Sequence, residues 1–421
     1  MAERHANRLI ALGLLWAFGV TLLRGLRRPN DWAEAHWLIG YDFGLIKRGL
    51  PATLLRPFTA ASAERAEMAI TVVATILTAL LCLVLISVCG SILRRAGFSR
   101  NAVVAVAVFA TSPFVVMTGH LNGYFDAPII LLTALAVALT WRGRAGWAAV
   151  ALTIGLLVHE TIFIIGFPTV VWAALLANWR DGLTGRPAAR RLAPLAAPLL
   201  AFAALFVYQS FAIDAATLER TLIAHLETFP FIQYDQEVIV PRAFAKSFVA
   251  HFQSQSPRVW GRLFDGGLIV AVLPTVAVWL LFIRQALRAA NTPRHLAVTA
   301  GLLPFLPLAL HLIAWDTARI WTYPVIVALL VGWVACLAAE PARLRAADSR
   351  LLTLLGLLAL PLNVFGRVPL MDWRVERFTV LWRAALYVPL LAVLAGSAIL
   401  QNRAASLRSG RSATILPPFD N

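Results

Sequence analysis

The chain has 421 residues, 60% of them hydrophobic and 14% charged, with a mean hydropathy of +0.76. Soluble domains run at about 45–50% apolar and about 25% charged, so a single water-excluding core is excluded as the home of most of this chain. The net charge of +16 does not mark a nucleic-acid binder, because 35 of the 37 basic residues are arginines set in short clusters between apolar runs.

In chain order the apolar runs predict an all-α, polytopic transmembrane helical bundle occupying 1–421 as a single domain, with about twelve spans of the roughly 17–25 residues a bilayer needs. They fall near 8–25, 68–93, 101–119, 124–141, 145–158, 161–179, 193–213, 266–286, 296–314, 320–338, 351–366 and 380–400. The pair at 145–179 also reads as one re-entrant hairpin. No small-residue cleavage site follows the first run, which therefore reads as a retained helix. Cys82, Cys89 and Cys336 lie inside such runs, so neither a disulfide framework nor a CxxC site is available.

Arginine placement sets the orientation. With a cytoplasmic N-terminus, the inner segments carry +15 and the remainder +1, so the positive-inside rule puts both termini in the cytoplasm. The tail at 401–421 is polar, Pro-terminated and expected to be disordered. The inner loops are short and Arg-rich, as topogenic loops are.

The outer loops hold nearly all carboxylates and most histidines. The first, 26–67, places Asp31, Glu34, His36 and Asp42 among Trp32, Trp37 and Tyr41, followed by Lys47 and Arg48. Its stretch "WLIGYDFGLIKRGLPATLL" is too apolar for a free loop and too polar for a span, which suits a helix or turn at the interface. Asp42 would then be half desolvated, with Lys47 and Arg48 as its neighbouring cations or as a phosphate hold. "HLNGYFDAP" puts His120, Asn122 and Asp126 at the ends of the third and fourth spans, where Asp126 also fits an N-cap. His159 and Glu160 interrupt an otherwise apolar run, and ionisable groups at such depth are functional candidates by default. "HLIAWDTARIW" sets His311, Asp316 and Arg319 around a turn; Asp316 and Arg319, three apart, suit a mutual pair, and Arg319 suits a bidentate phosphate clamp. Asp372, Arg374, Glu376 and Arg377 read as a rim. The long loop 214–265 carries two amphipathic stretches, 214–228 and 241–252, the second with Phe244, Phe248 and Phe252 in a stripe; both read as interfacial helices.

No GxxxxGK[ST], GxGxxG or HExxH occurs, which argues against ATP-driven transport and a zincin site. A divalent cation held by Asp or Glu is compatible with the composition, but no spacing requires one.

A polytopic chain with cytoplasmic termini and a long first outer loop carrying aspartates among aromatics resembles the GT-C superfamily of integral-membrane glycosyltransferases. That resemblance implies a polyprenyl-phosphate sugar donor, a glycan or lipid acceptor, and an active face outside the cytoplasmic (inner) membrane. It also implies an acidic residue of the first outer loop as base. The positions here that match are Asp42, then Asp31, with Glu34 beside them; Arg319, Lys47 and Arg48 would clamp phosphate, and His159 and Glu160 would shape the acceptor site. Two other classes stay open: a twelve-span secondary transporter or lipid-linked-oligosaccharide flippase, and an outer-face glycan polymerase or ligase. Transporters place polar groups at the midplane in related halves, whereas these crowd one interface.

Overall fold

An apolar run in lipid keeps its backbone groups bonded by forming a helix or a closed barrel, and every regular element among the described residues is helical. The computed structural model describes residues 2–368, 370–371, 376–393 and 395–396. Eight helices are long and apolar enough to cross a membrane: Arg4–Gly25, Ala63–Arg95, Arg100–His120, Ile162–Arg180, Gly185–Phe211, Gly266–Ala289, Arg294–Leu312 and Thr317–Ala338. Four shorter apolar helices, Asp126–Trp141, Ala145–Val158, Arg350–Phe365 and Val380–Val393, occupy the other expected positions. The first three, at 14 and 16 residues, reach only about 21–24 Å, less than a hydrocarbon core of about 30 Å. The tail at 401–421 lies outside the described residues, as do Asp372 and Arg374.

The helices at Arg100–His120 and Thr317–Ala338 are buried on nearly all sides and form the centre, whereas Gly185–Phe211 is mostly exposed at the periphery. Pro113 breaks the first of these: Ser112 before it is extended, and the helix restarts with Pro113 in its first turn. The Val108 carbonyl near the break accepts from Asn363 Nδ2 at 3.0 Å. Pro304 and Pro307 likewise tighten residues 303–312 into a 3-10 helix. The N-terminal helix meets the Pro113–His120 segment backbone to backbone, because a Cβ at Gly25 would stand 2.1 Å from the Val116 carbonyl oxygen and one at Gly119 2.4 Å from that of Leu22. Only glycine permits so close an approach.

The connections gather at two ends. At one, Arg95 donates to the carbonyls of Cys336, Leu337 and Ala339, and Asn101 to Gln285 and the Ala347 carbonyl. At the other, Trp37 donates to the Gly123 carbonyl, Asn122 to that of Arg27, His225 bonds the Leu38 carbonyl and His120 that of Met371. Arg24, Glu376 and Arg383 are also buried there as a triad. This corrects the expected rim role of Glu376: its carboxylate accepts from both arginines and from the Val368 amide, tying the first helix to the last ones.

Both long loops of this end are folded. Residues 26–67 form the helix Asp31–His36, capped by Asn30, a 3-10 turn Tyr41–Phe43 and the helix Gly49–Thr59. Residues 214–265 form Ala215–Leu226, Tyr234–Ala245, Phe248–Gln255 and Val259–Leu263. The expected single helix at 241–252 is two: Lys246 is extended and Ser247 caps the second by accepting from the Ala250 amide. The Phe stripe is therefore split, with Phe244 and Phe248 buried and Phe252 exposed.

Candidate functional site

The chain breaks at its ionisable pair. The helix Ala145–Val158 ends where His159 turns extended, and Glu160 and Thr161 lead into Ile162–Ile165. Across from them Arg48 adopts the left-handed conformation at φ 62° just ahead of the helix Gly49–Thr59, which turns its side chain away from Asp42. Arg48 Nε donates to both Glu160 oxygens at 2.9 and 3.1 Å, and Nη2 donates to Oε1. Its Nη1 makes no hydrogen bond to the described residues. Burial alone would raise the Glu160 pKa; the Arg48 guanidinium, by its charge and its hydrogen bonds, holds it well below the usual carboxylate range.

These groups open onto a cavity of about 90 Å³ whose walls come from four separated segments. The first loop supplies Trp32, His36 and Arg48, the break supplies His159, Glu160 and Thr161, the long loop supplies Ala243, Phe248 and His251, and residues 310–323 supply Asp316, Arg319 and Tyr323 among others. Arg319 Nε donates to Asp126 Oδ1 at 2.9 Å, its Nη2 lies 2.8 Å from Oδ2, and its Nη1 donates to Asp316 at 3.2 Å. The Tyr323 hydroxyl also donates to Asp126. Asp126 is therefore not the N-cap of Asp126–Trp141; Phe125 holds that position, and the carboxylate turns inward to the buried guanidinium instead.

Hydrogen bonds fix which way the histidines face. His36 Nδ1 lies 2.7 Å from the Trp32 carbonyl and must donate, leaving Nε2 of the neutral ring as an acceptor. His159 Nδ1 accepts from the Thr161 amide at 3.2 Å, so its Nε2 carries the proton. Burial, then Arg48, pushes the His36 pKa down to about 3 and that of His159 well below its ordinary value; burial, then Lys47, lowers His251 to about 3. All three rings are neutral at physiological pH. Lys47 is buried behind the cavity wall. Its Nζ donates to the Lys246 carbonyl at 2.6 Å and lies 5.4 Å from the Phe248 ring centre, and burial depresses its pKa to about 7, against the pull of Glu160.

Of the residues singled out from sequence, His36, Arg48, His159, Glu160, Asp316 and Arg319 line this one cavity, with Asp126 and Lys47 directly behind it. Asp31, Glu34 and Asp42 do not line it. Asp42 is 44% exposed and accepts from Arg56, which corrects its expected pairing with Lys47 and Arg48: the residues after it turn inward at the left-handed Arg48. Asp31 accepts from the amide of Trp32 in the first turn of Asp31–His36. Glu34 is buried, and burial, with Glu67 and Asp31 nearby, raises its pKa to about 7. Among the described residues no group of three or more His, Cys, Asp or Glu is arranged to hold a metal ion.

Sequence reasoning missed Tyr323 and the lining role of His251. Tyr323 sits four residues after Arg319 and hence on the same helix face, a spacing that identifies it. His251 had only its place off the Phe stripe as a signal. Comparison with protein families, curated proteins and solved structures finds no match to this chain.

Proposed function

We propose that the chain is a twelve-crossing membrane glycosyltransferase with both termini cytoplasmic, its cavity at the extracytoplasmic end, and a polyprenyl-phosphate-linked sugar as donor. The observation that carries this reading is the delivery of Arg48 and Arg319 to one cavity from opposite parts of the chain, beside carboxylates and neutral histidines. A lipid-linked donor keeps its phosphate at headgroup depth. Arg48, with Nη1 unengaged, and Arg319 then offset the charge that develops on the departing phosphate in a site shielded from water. Asp316, 15% exposed against 7% for Glu160, is the lining carboxylate better placed to take the acceptor hydroxyl's proton. Glu160 keeps Arg48 in position. His159 Nε2–H and His36 Nε2 offer one donor and one acceptor for sugar hydroxyls. The cavity holds only a few waters in volume, so a sugar enters by displacement of the long-loop wall at Ala243, Phe248 and His251.

The test is transfer of radiolabelled sugar from a panel of polyprenyl-phosphate donors by purified protein in lipid. Transfer by wild type that is lost in Asp316→Asn and Arg48→Gln, with donor binding kept in the former, supports the assignment. Absence of transfer with every donor, alongside counterflow of a solute in vesicles, replaces it with a transporter.

A further inference from the structure

The opposite end of the bundle carries a second concavity, between the C-terminal half of Gly266–Ala289 and the start of Arg294–Leu302. It measures about 820 Å³. One wall is apolar, from Leu280, Ile283 and Leu287 to Val298 and Gly301, and its rim holds Arg284, Arg288 and Arg294. None of these arginines makes an ion pair or hydrogen bond with another described residue, unlike Arg95, Arg180 and Arg191 at the same end.

Their arrangement runs against local electrostatics twice. Arg284 and Arg288 are like charges four apart on one helix, which is destabilising. Arg294 opens a helix, where the macrodipole disfavours a cation. That helix has Pro293 as N-cap and no side-chain cap, which leaves its first amides open. The turn between the helices is closed independently: Asn291 is left-handed at φ 55° and the Thr292 amide bonds the Leu287 carbonyl at 3.0 Å, a Schellman arrangement. Thr292 lines the same concavity, its hydroxyl shielded from solvent and without a hydrogen-bond partner among the described residues. An anion resolves both electrostatic conflicts at once, and the apolar wall below gives that anion a chain.

We propose that this groove binds an anionic phospholipid carrying two phosphodiester groups, its phosphates on Arg284, Arg288 and Arg294 and an acyl chain along Leu280, Ile283, Val298 and Gly301. Three unpaired cations match a dianionic headgroup better than a singly charged one, and basic pockets between membrane helices recognise such headgroups. The site rests on the membrane reading above but not on glycosyl transfer, and it lies at the other end from the proposed catalytic cavity.

The experiment is native mass spectrometry of the purified full chain titrated with cardiolipin, phosphatidylglycerol and phosphatidylcholine, for wild type and two variants. At about tenfold per 1.4 kcal/mol and about 1 kcal/mol per basic residue, Arg284→Gln/Arg288→Gln/Arg294→Gln weakens cardiolipin binding on the order of 100-fold and abolishes its preference over phosphatidylcholine. Gly301→Trp, placed where a Cβ meets nothing within 4 Å, fills the groove and weakens all three lipids several-fold while keeping the headgroup order. Equal binding of cardiolipin and phosphatidylcholine by wild type, or unchanged cardiolipin binding in both variants, overturns the site. Equal binding of cardiolipin and phosphatidylglycerol overturns the two-phosphate assignment. Gly301→Trp leaves every arginine in place, so the result stands even where the triple variant does not fold.

Discussion

The two ends of the bundle use arginine differently. At the end of short turns, Arg95 caps carbonyls at the end of Thr317–Ala338, Arg180 lies 4.1 Å from the Trp141 ring and pairs with Asp181, and Arg284, Arg288 and Arg294 make no ion pair with another described residue. At the end of long loops, arginines are taken out of water and matched with carboxylates: Arg24 with Glu376, Arg48 with Glu160, Arg319 with Asp126 and Asp316. A surface arginine on a turn is replaceable by any residue that keeps the turn. A buried pair is different, because removing one partner strands the other charge. The proposed chemistry is assigned to the end where charges are buried in pairs around a void.

The largest separation between the ends is expected in turnover. Asp316→Asn should lower transfer by about 10²–10⁴-fold, read from single-turnover assays at saturating donor, whereas Arg95→Gln should leave turnover unchanged and lower thermal stability by about 1–2 kcal/mol. Next comes the buried pair. Glu160→Gln should destabilise the fold by about 3–5 kcal/mol in thermal unfolding, and adding Arg48→Met should recover part of that loss because no charge is then left unpaired; strictly additive losses would show that the pair is not coupled.

Titration gives a smaller, signed effect. Glu34 has a pKa raised from 4.5 to about 7, so the native state binds more protons between these values. Its contribution is complete below pH 4.5 and is lost as pH rises through 7, by no more than about 3 kcal/mol, and Glu34→Gln should flatten that limb. Lys47 has the opposite slope: its pKa is lowered to about 7, the unfolded chain holds the proton up to about 10.5, and stability rises from pH 7 to 10.5 in wild type but not in Lys47→Met. The smallest effect is expected at the exposed pair. Asp42→Asn should cost at most about 1 kcal/mol and leave transfer within threefold; a 100-fold loss would return the base to Asp42.

Much of this was legible in the residues. Apolar runs located the helices, and their alternation placed 94–100, 284–295 and 339–350 on one side, where the structure joins residues at their edges. Six of the singled-out residues line one cavity because each was an ionisable group in apolar surroundings, where burial is tolerated only with a partner. What sequence did not reveal was pairing. Arg48's left-handed backbone exchanges the partner expected for Asp42, and no spacing rule encodes that. Asp126 fits an N-cap as readily as a binding role by sequence, and its actual neighbour is a guanidinium 193 residues away. The split of 241–252 at Lys246 was hidden because a regular Phe spacing carries the same signal across a break.

The contact at Gly25 and Gly119 has a mechanical consequence. Two backbones touching without side chains between them leave no room to slide or roll, so the N-terminal helix serves as a stator. The wall bearing His36 and Arg48 follows it within a few turns and inherits its rigidity. Any displacement that opens the cavity is therefore expected on the far side, where Lys246 and Ser247 interrupt the helices of the long loop and Lys47 Nζ donates to the Lys246 carbonyl.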